Sequence, residues 1–169
     1  MIDIQFSLEF HRAKIEDATQ IYNILKLAGE SMLDKHGFSH WIPTYPLERI
    51  IDDIKYKFVF VGMKDNLIII TFTLDDKPYG FWLSLPYDKC LYSGKTAVLP
   101  EYDGCGYGLE SSRFIEEFAI KEGYKRIRCE VYDQNKRYIS YVKKNGYQEV
   151  GTAPTRRFKV ICFEKVLSI

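Results

Sequence analysis

The sequence lacks a charge excess of either sign: 24 Lys and Arg stand against 23 Asp and Glu, a formal net charge of +1. A chain so balanced carries no electrostatic footprint for a nucleic-acid backbone, and no polybasic run marks a membrane surface. It also lacks any apolar run of the roughly 18 residues that a spanning helix requires. The opening Met1-Ile2-Asp3-Ile4-Gln5 has no basic stretch ahead of an apolar one. No secretory leader is therefore expected, and the chain reads as cytoplasmic. Cysteine is sparse. The four (Cys90, Cys105, Cys129 and Cys162) form no C-x-x-C pair and show no ligand spacing with His11, His36 or His40. Neither a metal site nor a disulfide framework is expected, and the cysteines read as free thiols. Repeats, low-complexity tracts and linkers are missing too. A chain of 169 residues is long enough for one domain, 1–169, with a full core.

What is present is a clear alternation of periods. Phe6–Arg12 reads as a first strand. Asp17 and Gln20 have capping-box spacing, Ala18, Ile21, Leu25 and Ala28 recur at helical intervals, and Gly29 is expected to end that helix. Leu47, Ile50, Ile51 and Ile54 mark a second, shorter helix. The apolar runs Phe58–Met63 and Leu67–Leu74, joined by Lys64-Asp65-Asn66, read as a hairpin. Tyr92–Leu99 is a strand, and Phe114, Ile115, Phe118 and Ala119 form the core face of the next helix. Arg126–Tyr132 is a strand with two faces: Ile127, Cys129 and Val131 on one, Arg128, Glu130 and Tyr132 on the other. A helix over Asn135–Asn145 stops at Gly146, and Tyr147–Thr152 and Lys159–Leu167 close the sheet. Together these elements predict an α/β fold: a mixed, mainly antiparallel central sheet with helices on both faces.

Chemistry concentrates in Ala97-Val98-Leu99-Pro100-Glu101-Tyr102-Asp103-Gly104-Cys105-Gly106-Tyr107-Gly108-Leu109. An apolar strand runs into three alternate glycines, and a helix follows. Such glycines expose successive backbone N–H groups, and the helix start adds the positive end of its dipole. The result is an anion cradle suited to phosphate. It is not a P-loop, because Gly94-Lys95-Thr96 lacks the earlier glycine. Nor is it a dinucleotide fingerprint: the third glycine of that motif falls on Leu109 or Ser111, although Glu130 and Asp133 lie roughly 20 residues on. Cys105, inside the loop and near the helix start, is the one cysteine placed to be exposed and reactive.

The stretch Ala97–Leu109 resembles the pyrophosphate loop of the GNAT N-acetyltransferases, Gln/Arg-x-x-Gly-x-Gly/Ala after an Ala-Val-x-Pro-like strand end. Gly106 and Gly108 take its two glycine positions. Asp103 stands where the family has Gln or Arg, and an acid there repels a diphosphate unless it points away. A second stretch, Arg128–Tyr147, resembles the family's later motif, with Asn135, Lys144, Gly146 and Tyr147 at matching offsets. The resemblance covers most of the chain from Phe10-His11-Arg12-Ala13 onward and is thinnest over Gly29–Tyr45 and Asp75–Tyr92.

The resemblance implies an acyl-CoA N-acyltransferase-like fold and direct transfer of acetyl from acetyl-CoA to a primary amine. The acceptor would be a small molecule or a peptide, with no nucleic acid, membrane or metal involved. It implies that backbone groups of Gly104, Cys105, Gly106, Tyr107, Gly108 and Leu109 hold the pyrophosphate. The strands at Tyr92–Leu99 and Arg126–Tyr132 would splay to admit the pantetheine arm, which would bond near Ala97 and Val98 and touch Asn135. Asn135 suits a helix cap equally well. Glu130 matches a glutamate that some members use as base; the alternative is a carboxylate paired with Arg128 on a solvated face. The family's proton-donating tyrosine falls on Val142. Tyr141, one residue early and about 100° round the helix, is the candidate acid; the alternative is a buried aromatic. The segment His36–Pro46 either borders an acceptor pocket or is pinned to the core by Trp41 and Tyr45. Phe81-Trp82-Leu83 is core, pocket or homodimer contact. A GNAT-like protein that binds a coenzyme A derivative without turnover is the other reading, and Val142 and Asp103 point to it.

Overall fold

A computed structural model describes residues 5–168. Met1–Ile4, on which the leader expectation rests, and Ile169 lie outside the described residues. Seven strands follow the order β1-β2-β3-β4-β5-β7-β6. They are β1 Glu9–Arg12, β2 Phe58–Lys64, β3 Leu67–Asp75, β4 Cys90–Val98, β5 Arg126–Tyr132, β6 Gln148–Pro154 and β7 Lys159–Val166. The helices are α1 Ala18–His36, α2 Leu47–Tyr56, α3 Tyr107–Lys121 and α4 Lys136–Lys144. β4 and β5 run parallel, whereas β1–β2, β5–β7 and β6–β7 are antiparallel. The mixed, mostly antiparallel sheet expected from the sequence is what forms.

Packing groups the chain into two units: Met1–Thr73 with Lys95–Ile115, and Leu74–Gly94 with Glu116–Ile169. In the first, Ala18, Ile21, Ile24, Leu25 and Ala28 of α1 bury against Ile50, Val59, Val61, Ala97 and Leu99. Each such aliphatic side chain removed from water contributes about 1.5–3 kcal/mol. A second cluster gathers Leu8, Ile69, Ile70 and Tyr107, with Phe10, Val98 and Tyr102 against it. Phe10 stacks on Phe114 with ring centroids 4.5 Å apart. The turn between β2 and β3 holds Asp65 and Asn66 at φ 50° and 62°, the two left-handed residues of a tight hairpin.

Three local expectations are corrected here. β1 starts at Glu9 rather than Phe6. Asp17 does not cap α1 forward to Gln20. Its carboxylate accepts instead from the Lys14 amide at 2.8 Å, closing a short 3-10 turn over Ile15–Asp17. Nor does Gly29 end α1, which runs on to His36 and stops at Gly37 with φ 72°. Gly29 is small for a tertiary reason: a Cβ there would meet Trp41 Cβ at 3.2 Å and its carbonyl oxygen at 3.3 Å. A packing glycine within a helix and a terminating one look alike in sequence.

In the second unit β5 pairs with β4 from Cys90↔Arg126 to Ser93↔Cys129 and with β7 from Arg126↔Val166 to Tyr132↔Val160. Its two faces differ as expected. Cys129 and Val131 meet Ile139 and Val142 of α4 together with Phe163. The other face is covered by the short 3-10 segment Gly80–Ser84, whose Trp82 packs with Cys90, Tyr92, Val160 and Cys162. Trp82 is 1% exposed, so the core reading of the Phe81-Trp82-Leu83 cluster holds for it, while Leu83 stays at the surface. Phe81 lies over Gly151, where an added Cβ would come within 2.5 Å of its ring and where β6 is bulged.

Candidate active site

The glycine loop belongs to the first unit. Gly104 and Gly106 take φ 78° and 84°, conformations that side-chain-bearing residues rarely adopt. A Cβ built on Gly104, Gly106 or Gly108 would meet nothing within 4 Å, so the loop faces open space. Cys105 spends its amide on Tyr102 O at 3.3 Å, and the first backbone bond of α3 is Glu110 N to Gly106 O at 3.1 Å. Among the described residues, the amides of Gly104, Gly106, Tyr107, Gly108 and Leu109 donate to no backbone carbonyl. Three of them, Tyr107, Gly108 and Leu109, open the 15-residue helix α3, where unpaired N–H groups and the dipole favour an anion. The loop thus fits a diphosphate: donors available, side chains absent, room in front.

The acid in this loop is accounted for. Asp103 Oδ2 lies 3.7 Å from the ammonium of Lys35, in the last turn of α1. Glu110, in the first turn of α3, is also engaged: it accepts from Ser7 Oγ at 2.6 Å and from the Leu8 amide at 2.9 Å. Lys64 Nζ bonds the hydroxyl of Tyr107 at 3.2 Å. Behind the loop, Ala97 and Val98 project to opposite sides of β4: Ala97 into the α1 core, Val98 against Tyr102 and Tyr107.

The remaining candidates belong to the second unit. Arg128, 3% exposed, does not pair with Glu130 on a solvated face. Its Nε donates to Glu164 at 2.7 Å, and its other nitrogens to Tyr92 Oη at 3.2 Å and Pro86 O at 3.1 Å. Glu130 is left half-buried beside the Trp82 indole. Burial pushes its carboxyl above the usual glutamate range, and the indole N–H opposes that rise.

Asn135 caps α4, its Oδ1 accepting from the Tyr138 amide at 3.1 Å. Val142 is buried in the α4 core with Ile139, and the Tyr141 ring stacks on Tyr138 at 5.6 Å. Val142, the position to which the sequence resemblance assigns a tyrosine, is therefore a core position.

The segment after α1 forms a chain of rings in the first unit: His36 on Phe38, Phe38 on His40, His40 on Trp41, Trp41 on Tyr45. Trp41 and Tyr45 pack on the α1 core, so this segment is pinned. The Lys95 ammonium sits 4.6 Å over the Tyr45 ring and is bonded to Asp53, which also pairs with Lys57 at 3.1 Å. Burial pushes Lys95 below the ordinary lysine range, against the pull of Asp53. The sequence reading missed Asp53 and its pairing with Lys95. Asp53 had a signal, a charge three residues after Ile50 on the apolar stripe of α2.

A sequence profile of the Acetyltransferase (GNAT) family matches residues 30–147, which takes in the glycine loop, β5 and α4. The chain belongs to the GNAT acetyltransferase family. Solved GNAT structures share its fold at low identity. An acetyltransferase from Streptococcus agalactiae 2603 is 20% identical, with 96% of each chain covered and a TM-score of 0.77. The PaiA N-acetyltransferase of Thermoplasma acidophilum, solved with coenzyme A, is 18% identical over 96% of this chain and 100% of its own, TM-score 0.74. The ribosomal-protein-S18-alanine N-acetyltransferase of Escherichia coli is 15% identical over 96% and 95%, TM-score 0.73. No curated protein sequence matches. Among the described residues, no helix is long and apolar enough to cross a membrane.

Proposed function

We propose that this GNAT protein is an acetyl-CoA-dependent N-acetyltransferase acting on a primary amine. The observation that carries the reading is the open Gly104–Leu109 loop with its uncommitted amides, in a chain of this family. Those amides, including that of Cys105 after a small turn, hold the diphosphate of coenzyme A. Backbone groups near Ala97 and Val98, and Asn135, receive the pantetheine arm. Glu130 takes a proton from the acceptor ammonium, directly or through water. The neutral nitrogen then attacks the thioester carbonyl: a C–N bond forms, the C–S bond breaks, and the thiolate leaves. Tyr141 protonates that thiolate and is restored by the second proton, which the acetylated nitrogen loses; Glu130 gives its own proton up to solvent. The acceptor is a small or peptide amine, and an apolar body on it suits the aromatic His36–Tyr45 segment. The reading includes cytoplasmic residence and, through exposed Tyr79, Leu83 and Tyr87, a homodimer.

Binding without turnover is the second reading, favoured by the core placement of Val142. The test is coenzyme A release from acetyl-CoA with spermidine, phenethylamine, alanine amide and a peptide with a free N-terminus. It is paired with a thermal-shift titration of coenzyme A. Turnover on any of these amines supports the transferase. A melting shift without turnover on all four supports the binding protein. No shift and no turnover removes both.

A further inference from the structure

Glu130 is half-buried on β5, and its surroundings decide what can stabilise its charge. The ionisable groups on its face of these strands are Arg126, Arg128 and Tyr132 on β5, Cys90 and Tyr92 on β4, and Glu164 and Cys162 on β7, Cys162 paired directly across from Glu130. Arg126 is held by Glu164. Arg128 is taken by Glu164, Tyr92 and Pro86. Tyr132 packs edge-on to Phe158. The Cys162 thiol is pushed up to about 12 by burial and stays neutral. Trp82 lies over this face: its ring is 5.3 Å from the Arg128 guanidinium and packs against Cys162. Among the described residues, its buried indole Nε1 has no hydrogen-bond partner within ordinary limits. A buried orphan donor costs about 1–3 kcal/mol, so its retention beside a carboxyl calls for an explanation.

We infer that Trp82 is a positioning residue for Glu130: its indole N–H is the dipole that orients the carboxylate and favours its charged form on a buried face. The inference rests on the reading of Glu130 as base. Trp82 is 1% exposed and packed between Arg128 and Cys162, and that packing restrains the ring. The unpartnered N–H and the Glu130 carboxyl share the face that Trp82 covers, and a small rotation of the carboxyl completes the bond. A neutral donor suits a base better than a cation would, because it offsets part of the burial penalty without depressing basicity as an arginine pair does.

The test uses the intact protein labelled with 15N-tryptophan and 13C-glutamate. The chain has only two tryptophans, Trp41 and Trp82, so the indole signals are separable and Trp41 serves as control. The Trp82 indole N–H resonance should follow the Glu130 titration in the wild type and lose that transition in Glu130→Gln. In Trp82→Phe the Glu130 carboxyl should titrate higher by about half a pH unit or more. A Trp82 resonance blind to pH overturns the inference even if Trp82→Phe fails to fold. An unmoved Glu130 titration in folded Trp82→Phe overturns it as well. If the coupling appears while Glu130→Gln keeps full acetyl transfer in the amine panel, the base assignment falls, and with it the catalytic half of the inference.

Discussion

Arg128 turns its guanidinium to Glu164 across β5 and β7, at 2.7 Å, and not to Glu130 two residues along its own strand. The pair is sheltered, with the Arg128 side chain 4% and the Glu164 side chain 13% exposed. Glu164 also holds Arg126 at 2.6 Å, so one carboxylate ties down two β5 arginines. That division keeps this arginine off Glu130, the base proposed above. An arginine at its side would have lowered its basicity.

Replacement of Glu130 by glutamine should lower kcat by about 100-fold while leaving coenzyme A affinity unchanged. Burial raises the Glu130 carboxyl above the ordinary glutamate range. Its base form therefore fills later on the pH scale. Wild-type kcat/KM should fall as pH drops through that raised value, and Glu130→Gln should lack this limb. Stability has the opposite sign. The buried charge is unfavourable above the folded pKa, so Glu130→Gln should melt higher than wild type at pH 8, and the difference should close as pH falls. Calorimetry at several pH values reads it.

Two glycines of the loop separate conformation from room. Gly106 has φ 84°, so Gly106→Val strains the backbone by about 1–2 kcal/mol. We expect the ligand-free melting temperature to fall by about 2–6 °C and the coenzyme A shift to vanish. Gly108 is in the first turn of α3 with open space before its Cβ position. Gly108→Ala should hold or raise the ligand-free melting temperature, by up to about 2 °C, yet reduce the shift, because the methyl occupies space that the ligand needs.

The Asp103–Lys35 pair sets the charge beside the loop. Both side chains are more than half exposed, so each contributes modestly. Asp103→Asn should tighten coenzyme A about two- to fivefold by removing a repulsive charge, and Lys35→Ala should loosen it by a similar factor. Isothermal titration at low salt and at roughly 0.5 M salt should show both effects shrinking at the higher ionic strength.

Tyr141→Phe keeps the ring stacked on Tyr138 and removes only the hydroxyl. If Tyr141 protonates the leaving thiolate, kcat should fall by about tenfold, the small end for a general acid because a coenzyme thiolate is a good leaving group. An unchanged kcat would mean that the thiolate departs unassisted.

The elements were legible wherever periodicity was local. The two-faced pattern of Arg126–Tyr132, the Asp65-Asn66 turn and the stop at Gly146 all rest on neighbours within a few residues, as does the helix from Asn135. The glycine loop was legible because backbone conformation and missing side chains are properties of the residues themselves. Gly29 misled because its reason is Trp41, twelve residues away in sequence and 3.2 Å from its Cβ position.

The sequence by itself determined a mixed sheet, a strand–loop–helix anion cradle and a carboxylate on the polar face of β5. Only tertiary structure decided which partners the charges take: Lys35 for Asp103, Glu164 for Arg128 and Lys95 for Asp53. The physical reason is range. Hydrophobic period and glycine geometry act within a turn or a strand, whereas burial and charge pairing depend on chain segments that meet only once the sheet has formed.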